Sequence, residues 1–310
     1  MRILMLARTI GAALAMAAGT VPAAHGAQQA TALTSRIATA GPDVIGHFEA
    51  AGMRSVRPYA LTPAELALVE KALARMPALH RRILQTNLRH LSFVDGIPGL
   101  GSGLTSKVGE KLLFDITLRA SLLHESLTDF LTTKERRLFE ADASGHTITI
   151  EAEGADALTY VLLHEATHIL DMTNHLTSQP GNAFGNGIWE APRDQGRVPL
   201  AAPLATSPAA ASGFRDAARI PASRARYYYD ALAQTPFVSF YATASPAEDL
   251  AELVAWHMVS ERYGATLAIS VRDAAGAVLQ RYEPARFPAV QARMPQVDQL
   301  LAEAERDDAS

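Results

Sequence analysis

The chain has 310 residues, a formal net charge of −4 and 48% hydrophobic residues. That is enough apolar material for one large domain or two lobes, and the near-neutral balance excludes the basic field that a nucleic-acid partner needs. There is no cysteine, so disulfides and a lipid-anchored cysteine are both excluded, and stability has to come from the core.

Residues 1–26 read as a secretory signal peptide. Arg2 and Arg8 supply the positive start, an Ala-rich apolar stretch runs from Ile10 to Ala18, and small residues close it at Ala24-His25-Gly26. The apolar run is too short for a comfortable span. The mature chain is therefore expected to be periplasmic or secreted, with no membrane span. Residues 27–60, broken by Gly41-Pro42, Gly46, Gly52 and Pro58, read as a tether or short helix followed by a loop. The remainder, 61–310, reads as the main domain, with an N-terminal lobe over about 61–143 and a catalytic lobe over about 144–310.

Thr62-Pro63 with Glu65 predicts a capping box at the start of a helix that Pro77 interrupts before it resumes towards Arg89. Leu91–Val94 reads as a strand ending at the Asp95-Gly96 turn. Residues 96–109 are Gly-rich but lack the Gly-Lys-Ser/Thr of a phosphate loop, and read as a flexible surface loop. A second strand is expected over 112–118. A helix follows over 127–140, with Thr132, Thr133 and Glu135 suggesting its cap. His146–Glu151 alternates as a strand should. Residues 177–213 form a long Pro/Gly/Ala-rich segment in which Phe184 and Trp189 read as anchors more readily than as substrate contacts. A helix is expected over 214–232, another after Ser245-Pro246, a hairpin turning at Asp273–Gly276, and a final helix from Pro288 interrupted near Pro295.

The chemistry centres on His164-Glu165-Ala166-Thr167-His168, a His-Glu-x-x-His signature inside the apolar helical run 156–172. Helical positions four apart share a face about 6 Å apart. Two imidazoles at that spacing can converge on one Zn²⁺ at about 2.0–2.1 Å each. Glu165 beside them can take a proton from the metal's water and pass it to a leaving group. Ionisable side chains in so apolar a helix are costly unless paired or metal-bound.

A catalytic zinc needs a third protein ligand. Asp171, His175, Glu248, Asp249 and Glu252 are the candidates. Asp171 and His175 share the signature helix, and one straight helix cannot easily supply three tetrahedral ligands. That favours the helix after Ser245, with Glu248 as the ligand. Glu252, one turn further, would accept the free ring N–H of a ligand histidine. Tyr241 either packs at the loop–helix junction or donates to a developing oxyanion. The strand 146–151 is either an ordinary sheet strand or the one on which an extended substrate adds.

These residues resemble the gluzincins, zinc metallopeptidases with His-Glu-x-x-His and a later glutamate ligand, and most closely the anthrax lethal factor-type metallopeptidase domain. The likeness lies in Asp171 three residues beyond His168, in Tyr241 seven before Glu248, and in Glu248-Asp249-Leu250-Ala251-Glu252. It covers 146–260 in patches. It implies that His164, His168 and Glu248 bind one zinc, that Glu165 is the base and that Tyr241 steadies the oxyanion. The expectation is an α+β, mainly helical zincin-like fold with a small twisted sheet on the signature helix, acting on a peptide or protein substrate. The alternatives are a zinc hydrolase of another amide, such as a cell-wall peptide, and a non-catalytic zinc-dependent binder. Oligomeric state has no signal in the sequence.

Overall fold

A computed structural model describes residues 33–97, 101–179, 182–193, 198–211 and 219–307. The expected signal peptide lies outside these residues. Of the described residues 49% are helical and 19% are in strands, so they form a mixed α and β structure with more helix than strand. No helix among the described residues is long and apolar enough to cross a membrane.

Residues 42–59, within the stretch expected as tether or loop, carry a helix α1 (Pro42–Ala50) and a strand β1 (Arg57–Tyr59). Val44 and Phe48 of α1 are buried in a small cluster with Val56, Val94 and Ile97. The expected capping box opens α2 (Pro63–Arg75): Thr62 Oγ1 accepts the Glu65 N–H at 3.3 Å, and the Glu65 carboxylate accepts the Thr62 N–H at 2.8 Å. Pro77 has no N–H to continue the ladder and separates α2 from α3 (Ala78–Asn87).

β2 (Leu88–Asp95) follows and ends at the expected turn, where Gly96 has φ +81° and an added Cβ would collide with the Ser55 carbonyl. The Gly-rich stretch then departs from expectation. Gly103–Lys107 is a strand, β3, paired antiparallel with β4 (Phe114–Arg119). Glycine and small polar residues conceal its propensity, and pairing with the fully apolar Phe114, Ile116 and Leu118 overrides it. The sheet order is β1-β2-β4-β3, with β2 and β4 parallel.

α4 (Leu127–Arg136) is capped by Ser126, whose Oγ accepts the Asp129 N–H at 3.0 Å. The expected cap residue Thr132 has another task. It and Thr128 turn towards β6 (Thr147–Ala152), an edge strand of the sheet β6-β8-β9, in which β8 is Leu267–Arg272 and β9 is Val278–Tyr282. Thr128 Oγ1 accepts the Ala152 N–H and donates to the Ala152 carbonyl. Thr132 Oγ1 does the same at Ile150, and Arg136 Nε donates to the Ile148 carbonyl. The outer edge of β6 is thus occupied by the chain's own side chains, so 146–151 is not the strand on which a substrate can add. α4 also ends earlier than expected: Phe139–Glu140 is a short strand, β5, parallel to β7 (Ile220–Pro221).

α5 (Ala157–Asn174) carries the signature. Asp156 caps its start by accepting the Thr159 N–H at 2.7 Å, and His175, at φ 55°, ends it. Most of α5 is buried because α2, α3, α4 and the later helix α7 (Pro246–His257) all pack on it. Before α7 come α6 (Ala225–Leu232) and a short turn, Tyr241–Ala244. Ser245 caps α7 as expected, its Oγ accepting the Glu248 N–H at 3.2 Å. The hairpin β8 (Leu267–Arg272) and β9 (Val278–Tyr282) turns at Asp273–Gly276, and α8 (Met294–Asp307) closes the chain. The expected anchors hold. Trp189 Nε1 donates to Asp249 at 3.0 Å, and Phe184 is buried under the guanidinium of Arg293. Arg293 in turn grips Asp249 with two hydrogen bonds of 2.8 Å, so the 182–193 stretch, α7 and the approach to α8 share one buried ion pair.

Candidate metal centre

His164 and His168 sit one turn apart on α5, with ring centroids 4.8 Å apart and planes nearly perpendicular. Glu248 reaches them from the first turn of α7, where the Ser245 cap sets the helix start. Nε2 of His164 lies 3.1 Å from Glu248 Oε2 and 3.1 Å from Nε2 of His168, and His168 Nε2 is 3.4 Å from the same Oε2. Three lone-pair atoms therefore form a nearly equilateral triangle. A tetrahedral ion with ligands at about 2.0–2.1 Å keeps its donor atoms roughly 3.3 Å apart, so the three residues fit zinc.

The electrostatics agree with that fit. Burial opposes charging His164, but Glu248 and Glu252 outweigh it and push its pKa up to about 9. Burial would likewise raise Glu248, yet hydrogen bonds from His164 and His168 hold it far below the usual carboxylate range. Without metal, a proton on His164 takes the cation's place.

Glu252 is almost fully buried behind the triad. Burial is outweighed by Lys134 and His164, and its pKa is held low. Its carboxylate accepts from Lys134 Nζ at 2.8 Å, Tyr160 at 2.8 Å and Ser239 at 2.7 Å. Nδ1 of His164 stands 3.2 Å from Glu252 Oε1 but off the hydrogen-bonding line. The carboxylate and the ring nitrogen expected to pair are therefore adjacent, without a hydrogen bond between them. Tyr241 also comes to the triad. Its hydroxyl donates to Glu248 Oε1 at 2.7 Å, and its ring stacks on His164 at 6.0 Å with Lys134 Nζ 4.4 Å from its centroid.

Glu165 projects from α5 towards β3. Thr105 Oγ1 donates to its Oε2 at 2.7 Å. Gly103 makes room for it, since an added Cβ would stand 2.5 Å from Oε1. Among the described residues, β4 is the only strand paired with β3, and no described strand pairs with its outer edge beside Glu165. A cavity of about 460 Å³ adjoins, with His164, Glu165 and Tyr241 in its lining.

The other ligand candidates lie elsewhere. Asp171 accepts the N–H and hydroxyl of Thr177 and ties off the loop after α5. His175 is the helix terminator, and Asp249 belongs to Arg293. His80, unassigned from sequence, is a support: its Nε2 lies 3.1 Å from Thr167 Oγ1 inside the signature. Sequence reasoning missed Gly103, Thr105, Lys134, Tyr160 and Ser239. Only Lys134, a charge on the buried side of an amphipathic helix, left a readable trace.

No family model, curated protein or solved structure matches the chain, so the geometry of this centre carries the functional reading by itself.

Proposed function

We propose that the chain is a zinc-dependent peptidase of zincin-like fold, exported through its N-terminal segment. The observation that carries this is the triangle of His164, His168 and Glu248 atoms with Glu165 beside it on the same helix. When bound, zinc lowers the pKa of a water and polarises a carbonyl. The rest falls to the protein. The outer edge of β3 would hold an extended peptide by main-chain hydrogen bonds. Glu165, steadied by Thr105, would take the water's proton as it attacks the peptide carbonyl and return it to the departing amine. The Tyr241 hydroxyl, now donating to Glu248, would turn towards the carbonyl oxygen as it gains negative charge. Glu252, held by three donors, would fix the orientation of His164.

The decisive comparison is wild type against Glu165→Gln, with zinc analysis and a proteome-derived peptide library. Equal zinc with cleavage reduced by about 10²–10⁴-fold supports the assignment. Unchanged cleavage refutes the role of Glu165. Stoichiometric zinc with no hydrolysis in wild type would make the chain a zinc-dependent binder, and cleavage confined to cell-wall peptides would move it to that substrate class.

A further inference from the structure

The signature helix has a polar support on the side it turns to α3. His80 of α3 and Thr167 of α5 are both fully buried, and Nε2 of His80 lies 3.1 Å from Thr167 Oγ1. The Thr167 hydroxyl donates to the Leu163 carbonyl at 2.7 Å. Its one proton is thereby used, so towards His80 the oxygen can only accept. That fixes the tautomer: Nε2 carries the proton and Nδ1 is bare. Nδ1 is buried and meets no hydrogen-bond partner among the described residues. Burial, and then the charge of Arg262, push the His80 pKa down to about 4, so the ring is a neutral donor near pH 7. Filling the core alone asks for no such residue, since an apolar side chain of similar size would leave no buried acceptor unpaired. What the imidazole adds is one N–H, directed at Thr167. Donation to a hydroxyl strengthens the bond that the hydroxyl gives in turn. Leu163 and Thr167 are the residues immediately before His164 and His168, so that bond braces the very turn that separates the two imidazoles. A threonine bonded to the carbonyl four residues back also bends a helix slightly. The pitch of this turn sets the 3.1 Å between the two Nε2 atoms, and a tetrahedral zinc ion needs roughly 3.3 Å between donors.

We propose that His80 is a positioning residue of the metal centre, whose N–H acts through Thr167 to hold the turn of α5 that spaces His164 and His168 for zinc. The proposal rests on the zinc-binding part of the reading above and uses no step of hydrolysis, so the peptidase assignment can fail while it stands. Three variants of the full-length chain test it. His80→Leu removes the donor, His80→Gln puts an amide N–H close to the place of Nε2, and Thr167→Val removes the receiving hydroxyl with little change of shape. Zinc affinity is measured by competition with a chromophoric chelator, and ligand geometry by the visible spectrum of the Co²⁺-substituted protein. His80→Leu and Thr167→Val are each expected to weaken zinc by about ten-fold or more and to shift the cobalt bands. His80→Gln should recover most of the affinity and the wild-type bands. His80→Leu added to Thr167→Val should cost little more, because the two residues act in series. A histidine that only fills the core predicts lower melting temperatures with unchanged zinc affinity and cobalt bands. That result overturns the proposal, as does a His80→Gln variant no better than His80→Leu. Should His80→Leu fail to fold, the other two variants decide: weakened zinc in Thr167→Val beside near-wild-type zinc in His80→Gln supports the proposal, and unchanged zinc in Thr167→Val overturns it. Wild-type protein that takes up no zinc ends the metal-centre reading and the proposal together, whereas stoichiometric zinc with unshifted variants ends the proposal alone.

Discussion

Two edge strands flank the signature helix, and they are treated in opposite ways. β6 is closed by its own chain, because Thr128, Thr132 and Arg136 fall one turn apart on α4 and each meets the backbone of β6. No described strand pairs with the outer edge of β3 beside Glu165, where Gly103 leaves room for the carboxylate and Thr105 donates to it. An exposed strand edge is a liability that proteins usually cover. The difference teaches that the chain covers the edge away from the candidate centre and pairs no described strand with the one beside it, and the helix that closes the covered edge also sends Lys134 to Glu252.

The contrast can be broken first through charge. On the side of the candidate centre, His164 has its pKa raised from an ordinary 6.5 to about 9 in the metal-free protein. A raised folded-state pKa contributes stability that is fully present below 6.5 and is lost as pH rises through about 9. Chelator-stripped protein is therefore expected to lose melting temperature over that window, whereas zinc-loaded protein, with the metal in the proton's place, should stay level. Parallel curves for the two forms would count against the triad as the metal site.

Gly103→Ala tests the room left for the base. Its Cβ would press on Glu165 Oε1 at 2.5 Å and on Leu118 Cδ2 at 2.9 Å. Displacing a catalytic group by a fraction of an ångström should lower kcat/KM by about ten- to hundred-fold, with zinc content unchanged. Wild-type rates would mean that Glu165 works from another position. On the closed edge, Thr132→Val removes both the donor and the acceptor that serve Ile150. Urea unfolding should show a loss of about 1–3 kcal/mol from the unpaired backbone groups, and kcat/KM per folded molecule should not change. A stable variant with altered turnover would reverse the roles assigned to the two edges. The smallest effect belongs to Thr105→Val, which removes one hydrogen bond to Glu165. A reduction of a few-fold is expected, restored by Thr105→Ser.

Local features were legible in the sequence because local geometry determines them. The capping box at Thr62, the break at Pro77, the Ser245 cap and the one-turn spacing of His164 and His168 depend on residues within a turn or two of one another. Glu248 and Glu252 could be named because a zinc site needs a third ligand and a capped helix offered carboxylates at the right period. Tertiary structure alone decided which strand edge the chain covers, since that depends on what packs against it. Thr105 meets Glu165 across 60 residues and Lys134 meets Glu252 across 118. No periodicity connects positions so far apart. Their encounter is set by the burial of α5 among four helices and the pairing of β3 with β4, which only the folded chain specifies.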